Sequence, residues 1–404
     1  MVPRPLLAVS VTAALSLLGD SMLYAVLPAY YPTWGLPLFG VGIILSANRF
    51  IRLLSNPVAG RWFQRAGPIP PFLTGAVGAA LTTAAYALVH GLVPFLVSRL
   101  AWGCCWSLIR LGGYTAALEF STAATRGRLM GIFSGVSRLG SLAGTLLGGV
   151  LADLVGPRPT LGLFALATAG GGLLAWAESR GVGWGGWKGT PGGQQAPAAE
   201  GGILWGHSYP VYLAGFASGF LGPGLVTSTL GLVLRETTGN ATGIASLTGA
   251  LLATRWAIDL GFSPTAGYLS DRLGRLRIAL TALATFGVAL ALLGFVRFLP
   301  LVLAAAVLAY LSDIALAVVL DALAGDLAPV RARAWAMSVF ATFKDLGSAS
   351  GPLLGYALIG WLGLAGGYIL GIGLAGAAAL GLALKAATLV AAETSPGAST
   401  DDRT

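Results

Sequence analysis

Apolar positions along this chain fall in long blocks divided by short polar turns. Cut at those turns, the blocks run over 6–30, 38–60, 70–90, 92–118, 129–154, 159–178, 208–233, 241–266, 277–297, 299–324, 335–358 and 360–390. Each is about twenty residues or more, the length at which an α-helix crosses the hydrocarbon core of a bilayer. The pattern predicts an all-α integral membrane protein of about twelve transmembrane helices, with its shortest joints at 90–92 and 297–299.

The pattern repeats. Arg255, Trp256, Pro264, Gly267, Asp271, Arg272 and Gly274 echo Arg49, Phe50, Pro57, Gly60, Gln64, Arg65 and Gly67. A second pair of landmarks, Leu139-Gly140-Ser141-x-x-Gly144 and Leu346-Gly347-Ser348-x-x-Gly351, keeps the same separation of 207 residues that relates Gly60 to Gly267. Two independent landmarks in one register indicate an internal duplication, each unit a bundle of six helices. The expected division is a first bundle over 1–179, a Gly/Pro/Gln-rich linker over 180–206, a second bundle over 207–390, and a polar tail over 391–404 expected to be disordered. Trp184, Trp187 and Trp205 in or beside the linker are expected as interfacial anchors.

Composition narrows the class. The 404 residues are 56% hydrophobic and 10% charged, with a mean hydropathy of +0.80, a balance that a soluble surface could not carry. The net charge of +9 does not mark a nucleic-acid partner, because its residues sit in alternate turns. Arg4, Arg61, Arg65, Arg126, Arg128, Arg180, Lys188, Arg272, Arg275, Arg277, Arg331, Arg333, Lys385 and Arg403 fall on one side, and Arg158, Arg235 and Arg297 on the other. By the positive-inside rule both termini are cytoplasmic, in the cell membrane. Cys104 and Cys105 are adjacent and form no metal or disulfide framework by spacing, so no metal and no cofactor is expected.

The turn Gly267-x-x-x-Asp271-Arg272-x-Gly274-Arg275, set between the second and third blocks of its half, resembles the signature loop of the major facilitator superfamily. The first-half copy keeps Gly60, Arg65 and Gly67 but carries Gln64 where the acid is expected. Arg99-x-x-x-Gly103 looks like the family's fourth-helix arginine motif, and Glu119 before Arg126-Gly127-Arg128 like the end of that helix. Gly347-x-x-x-Gly351-Pro352-x-x-Gly355 resembles the glycine-proline motif of family exporters, here in the eleventh block, with Thr145 in the proline's place in the fifth. The resemblance implies the major facilitator fold, two pseudo-symmetric six-helix bundles around a central cavity that opens alternately to either side. It also implies a cytoplasmic lock that rests mainly on Asp271.

Charges at bilayer depth are costly unless paired or wet, so each is a functional candidate. Asp20 and Asp313 are candidates for proton coupling, since a carboxylate there can gain a proton in one orientation and lose it in the other. A helix-packing pair with an arginine is the alternative. Arg49, Arg52, Arg99 and Arg110, with Tyr24, Trp106 and Tyr310, are candidate cavity residues. Arg255 and Asp259, four apart, can pair along one helix face. Arg138 and the Lys344-Asp345 pair occupy matching places and suit a gate, as does Glu119.

These features point to a secondary transporter, most simply a monomeric proton-coupled exporter of a small lipophilic or amphipathic compound. No Gly-x-x-x-x-Gly-Lys-Ser/Thr loop is present, so ATP is not the expected energy source. The alternatives are carriage of an organic anion by the buried arginines and a paralogue without transport. A lipid-acting enzyme would need clustered His, Cys or carboxylates at headgroup depth, which two isolated histidines do not supply.

Overall fold

The computed structural model describes residues 2–122, 125–180, 184, 187, 201–239, 243–327 and 333–394. The first bundle holds α1 (Arg4–Tyr30), α2 (Leu38–Ala66), α3 (Ile69–Leu88), α4 (Leu92–Glu119), α5 (Arg126–Val155) and α6 (Pro157–Ser179). In the second, α7 (Gly201–Gly219) passes through a wide π turn (Phe220–Val226) into α8 (Thr227–Thr238). Then come α9 (Ile244–Leu273), α10 (Arg275–Phe295), α11 (Leu299–Leu327) and α12 (Arg333–Thr394). The short joints expected near 90 and 298 are real breaks, between α3 and α4 and between α10 and α11.

Among the described residues ten helices are long and apolar enough to cross a membrane, against about twelve apolar blocks. The difference has two sources. α9 carries Arg255 and Asp259 mid-length and is not among the ten, and α12 counts once although its backbone breaks at Gly363, where φ is +71°. That break is one of a matched set. Gly67 and Gly274 end α2 and α9 at positive φ, and Gly156 and Gly363 do the same after the fifth crossing of each half. Both pairs keep the 207-residue register, and each needs a positive φ that glycine adopts cheaply.

In each bundle the glycine-rich helix packs on the first helix of the same half. A Cβ on Gly140 would sit 2.2 Å from the Ala14 carbonyl oxygen, and one on Gly347 2.0 Å from that of Phe216. Small residues let the backbones touch where lipid offers no hydrophobic drive for helix association. The outer surface is correspondingly apolar, with Leu54, Leu81, Leu154, Leu166 and Trp361 exposed, as a face turned to lipid requires.

Two expectations are corrected here. Trp184 and Trp187 are not interfacial anchors but are buried, and the Trp187 ring meets Phe72 of α3 edge-on at 5.9 Å. The register places Asn48, not Arg49, opposite Arg255. Most of the linker, the Trp205 side chain and the tail beyond Thr394 lie outside the described residues.

Candidate functional site

A cavity of about 710 Å³ lies between the bundles, lined by α1, α2, α4, α5, the π turn and α8, α9, α11 and α12. Among the described residues α3, α6 and α10 contribute nothing to it. It is closed on the side of the few-arginine turns. There a Cβ on Gly149 would lie 2.2 Å from the Ala245 carbonyl oxygen, one on Gly249 2.2 Å from that of Thr145, and one on Gly42 2.6 Å from that of Pro352. Beyond these contacts Asp153 of α5 accepts hydrogen bonds from the Tyr30 hydroxyl at 2.7 Å and from the Ser246 amide and hydroxyl at 2.7 and 2.5 Å. Ser246 lies in the first turn of α9, whose unpaired amides favour an anion. At the other end, the side of the charged turns, the lining side chains of Arg138 and Asp321 are 43% and 53% exposed.

Of the residues singled out from sequence, Asp20, Tyr24, Arg49, Arg52, Trp106, Arg110, Arg138, Arg255, Asp259, Asp313, Lys344 and Asp345 all line the cavity. Two do not. Arg99 has no exposed surface; it is ion-paired to Asp20 and donates to the Ile44 carbonyl at 3.2 Å. It stands behind the carboxylate because a guanidinium at this depth needs its charge and hydrogen bonds met by protein. Tyr310 is likewise fully buried, among core residues of α11.

The ion pairs differ from those expected. Arg255 does not pair with Asp259 but donates to Asp313 of α11 at 2.9 Å, while Asp259 meets Arg138 of α5 at 3.2 Å. Both Arg255 and Asp259 thus find their partners on other helices, and for Arg255 the buried, low-dielectric contact with Asp313 is stronger than an i,i+4 contact along one exposed face. Adjacent residues on a helix point apart, so Lys344 leaves Asp345 and bonds Asp321 at 2.9 Å.

Each bundle therefore holds one buried carboxylate bound by an arginine, Asp20 by Arg99 and Asp313 by Arg255. The duplicated register shows in the second helix of each half. The Asn48 amide donates to Asp20 at 3.1 Å, and Arg255, at the equivalent position, reaches Asp313. Asp313 also packs flat against the π turn, where a Cβ on Gly222 would fall 2.1 Å from its Oδ1. In that turn the Thr227 amide bonds back five residues to the Gly222 carbonyl, and Pro223 presents its carbonyl to Arg49 at 3.0 Å. Arg49 also donates to the Ser348 carbonyl, so this first-bundle side chain is anchored in the second.

The signature-loop residues lie outside the cavity. Asp271 is 70% exposed and touches Arg275 at 3.5 Å; Arg275 pairs with Asp326, and Arg272 stacks over Tyr268 at 4.6 Å. Gly60, Gly267 and Gly274 do not line the cavity, and Arg65 and Glu119 make no ion pair among the described residues. Among the described residues Asp271 has no ion-pair partner in the first bundle. Sequence reasoning missed Asp153, Asn48 and the Ser348 carbonyl. Asp153 falls at the end of its block, where an acid reads as a solvated helix end, and nothing local marks a backbone carbonyl as a ligand.

The Major Facilitator Superfamily model matches residues 9–251 and 211–402. Multidrug resistance protein MdtG of Dickeya zeae (strain Ech586) is 28% identical over 327 residues, 78% of this chain and 76% of that protein. Among solved structures, a peptide transporter POT in complex with sulfate superposes with a TM-score of 0.78 at 13% identity, covering 96% of this chain and 95% of that one. A bacterial homolog of the human lysosomal transporter Spinster, inward-facing and occupied, gives 0.71 at 17% identity, with 98% of both chains covered. Two bundles around a charged central cavity, with a family match along almost the whole length, make this chain a member of the Major Facilitator Superfamily, an integral membrane transport protein.

Proposed function

We propose that this protein is a secondary transporter working by alternating access, and that it exports a small lipophilic or amphipathic compound in exchange for protons. The observation that carries the reading is the placement of Asp20 and Asp313, two carboxylates that line one cavity and are each held by an arginine of their own bundle. Protonating either acid removes its attraction to the arginine and lowers the cost of moving it through a closed intermediate. The multidrug resistance relative supports a lipophilic cargo, as do Leu17, Trp102, Trp106, Leu252 and Ile314 on the cavity wall. The excess of arginine around the open mouth supports a cytoplasmic opening with both termini inside. The bundles serve as the moving bodies, 1–179 against 207–390, within one monomer.

Proteoliposomes provide the test. An imposed pH gradient should drive accumulation of a lipophilic test compound by the wild-type protein. Asp20→Asn and Asp313→Asn should abolish that accumulation yet retain exchange of labelled for unlabelled compound, which also reports that each variant is folded. Gradient-driven accumulation that survives both substitutions would remove the coupling assignment.

A further inference from the structure

The cavity carries more positive charge than its ion pairs consume. Five carboxylates line it, and four are committed: Asp20 to Arg99, Asp259 to Arg138, Asp313 to Arg255 and Asp321 to Lys344. What remains is Asp345 against Arg49, Arg52 and Arg110, an excess of two positive charges on one wall. Arg49 is satisfied only by the neutral carbonyls of Pro223 and Ser348. Arg110 makes no hydrogen bond or ion pair among the described residues. Arg49 and Arg52 are three residues apart on α2, and Arg52, largely buried, is repelled by Arg110 and Arg49 and attracted by Asp345.

Unmet donors point the same way. The Nε of Arg52 and the indole Nε1 of Trp102 are buried without a hydrogen-bond partner, and both residues line the cavity. A buried donor left unmade costs free energy, and like charges gathered without a counterion repel. Beside them Trp102 and Trp106 stack at 5.8 Å with their planes 9° apart, and Tyr24 lies under Arg49 at 5.4 Å. The wall is thus a cluster of guanidiniums with one unmet indole donor, beside which Trp106 and Tyr24 reach the cavity.

We infer that the cargo is an amphipathic anion whose oxyanion headgroup is bound by Arg52 and Arg110 while its apolar body lies along Trp106, with Trp102 packed behind it. Planar guanidinium forks bind phosphate, sulfonate or carboxylate oxygens in pairs, which an ammonium-headed compound cannot reproduce. Two uncompensated positive charges match a phosphate monoester best and a single carboxylate less well. Arg49 stays on its carbonyls and contributes field, not contact. The inference rests on reading the cavity as the cargo's path and adds the headgroup chemistry.

The test is equilibrium binding, with no gradient, to the full-length protein in zwitterionic lipid nanodiscs, read by tryptophan fluorescence below the probes' micelle concentrations. Octyl phosphate should bind at least tenfold more tightly than octyltrimethylammonium, with octanoate between them. Its affinity should fall as salt rises. Arg52→Gln and Arg110→Gln should each weaken octyl phosphate by about tenfold or more, the loss expected for one charged hydrogen bond, and Arg52→Lys should recover part of it. An adventitious surface effect is separated by Arg4→Gln, exposed at the start of α1 and away from the cavity, which should change nothing. Equal or tighter binding of the ammonium probe overturns the inference, as does unchanged phosphate affinity in both glutamine variants. Should either variant fail to fold, the wild-type headgroup order decides. Anion binding together with gradient-independent flux would uphold this assignment while defeating proton coupling. The reverse pair of results would defeat only the headgroup.

Discussion

Arg138 of α5 and Asp259 of α9 form an ion pair at 3.2 Å that ties one bundle to the other inside the cavity. With Arg138 43% exposed, such a contact contributes at most about 1 kcal/mol. Either Arg138→Ala or Asp259→Ala should therefore leave the melting temperature nearly unchanged and act on transport, because what is lost is a link between moving bodies. Arg138→Asp with Asp259→Arg should restore more than half of the flux that each single reversal removes. Proteoliposome flux of the three reversal variants checks this.

Asp153 closes the opposite end with three hydrogen bonds, from Tyr30 within its bundle and from Ser246 across the interface. Hydrogen bonds to a charged group contribute about 1.5–3 kcal/mol each. Asp153→Ala should shift the population toward the outward-open form by roughly tenfold or more. A cysteine placed at Thr145, behind the seal, should then be labelled faster by a membrane-impermeant maleimide added from outside.

The pair of Asp20 with Arg99 is buried on the arginine side, whose exposure is nil. Asp20→Ala orphans a buried guanidinium and should cost about 3–5 kcal/mol, whereas the apolar double variant Asp20→Leu with Arg99→Met should cost less than the single change. Thermal unfolding in detergent measures both. Asp20→Asn keeps a hydrogen-bond acceptor for Arg99 and should fall between them.

Gly140 and Gly347 lie against backbone that cannot yield. Gly140→Val and Gly347→Val should each part a helix pair and abolish folded protein, as judged by monodisperse elution in detergent. Gly131→Ala and Gly135→Ala on the same α5, with open space around both positions, should be neutral or slightly stabilising by helix propensity.

Crossing segments, duplication and family signature were all legible in sequence, because bilayer thickness fixes block length and the 207-residue register recurs in motifs that punctuate the turns. Charges in apolar blocks were legible as candidates for the same energetic reason, and most of them do line the cavity. Partner choice was not. Nothing in the spacing of Arg255 and Asp259 reveals that α11 and α5 bring Asp313 and Arg138 nearer, since an i,i+4 rule sees one helix and the pairing is made by three. Arg99 is a cavity candidate by its charge and its motif, and only packing distinguishes a guanidinium that faces the cargo from one that stands behind a carboxylate.

The π turn of Phe220–Val226 gives Asp313 a seat made of missing atoms. Even a single methyl at position 222 would occupy the space of the carboxylate, 2.1 Å from Oδ1 and 2.2 Å from Cγ. Any such substitution would evict Asp313 and strand Arg255 without its counter-charge. The acid, its arginine and the bulged backbone therefore form one mechanical part contributed by three helices, and none of them can be retuned without resetting the other two.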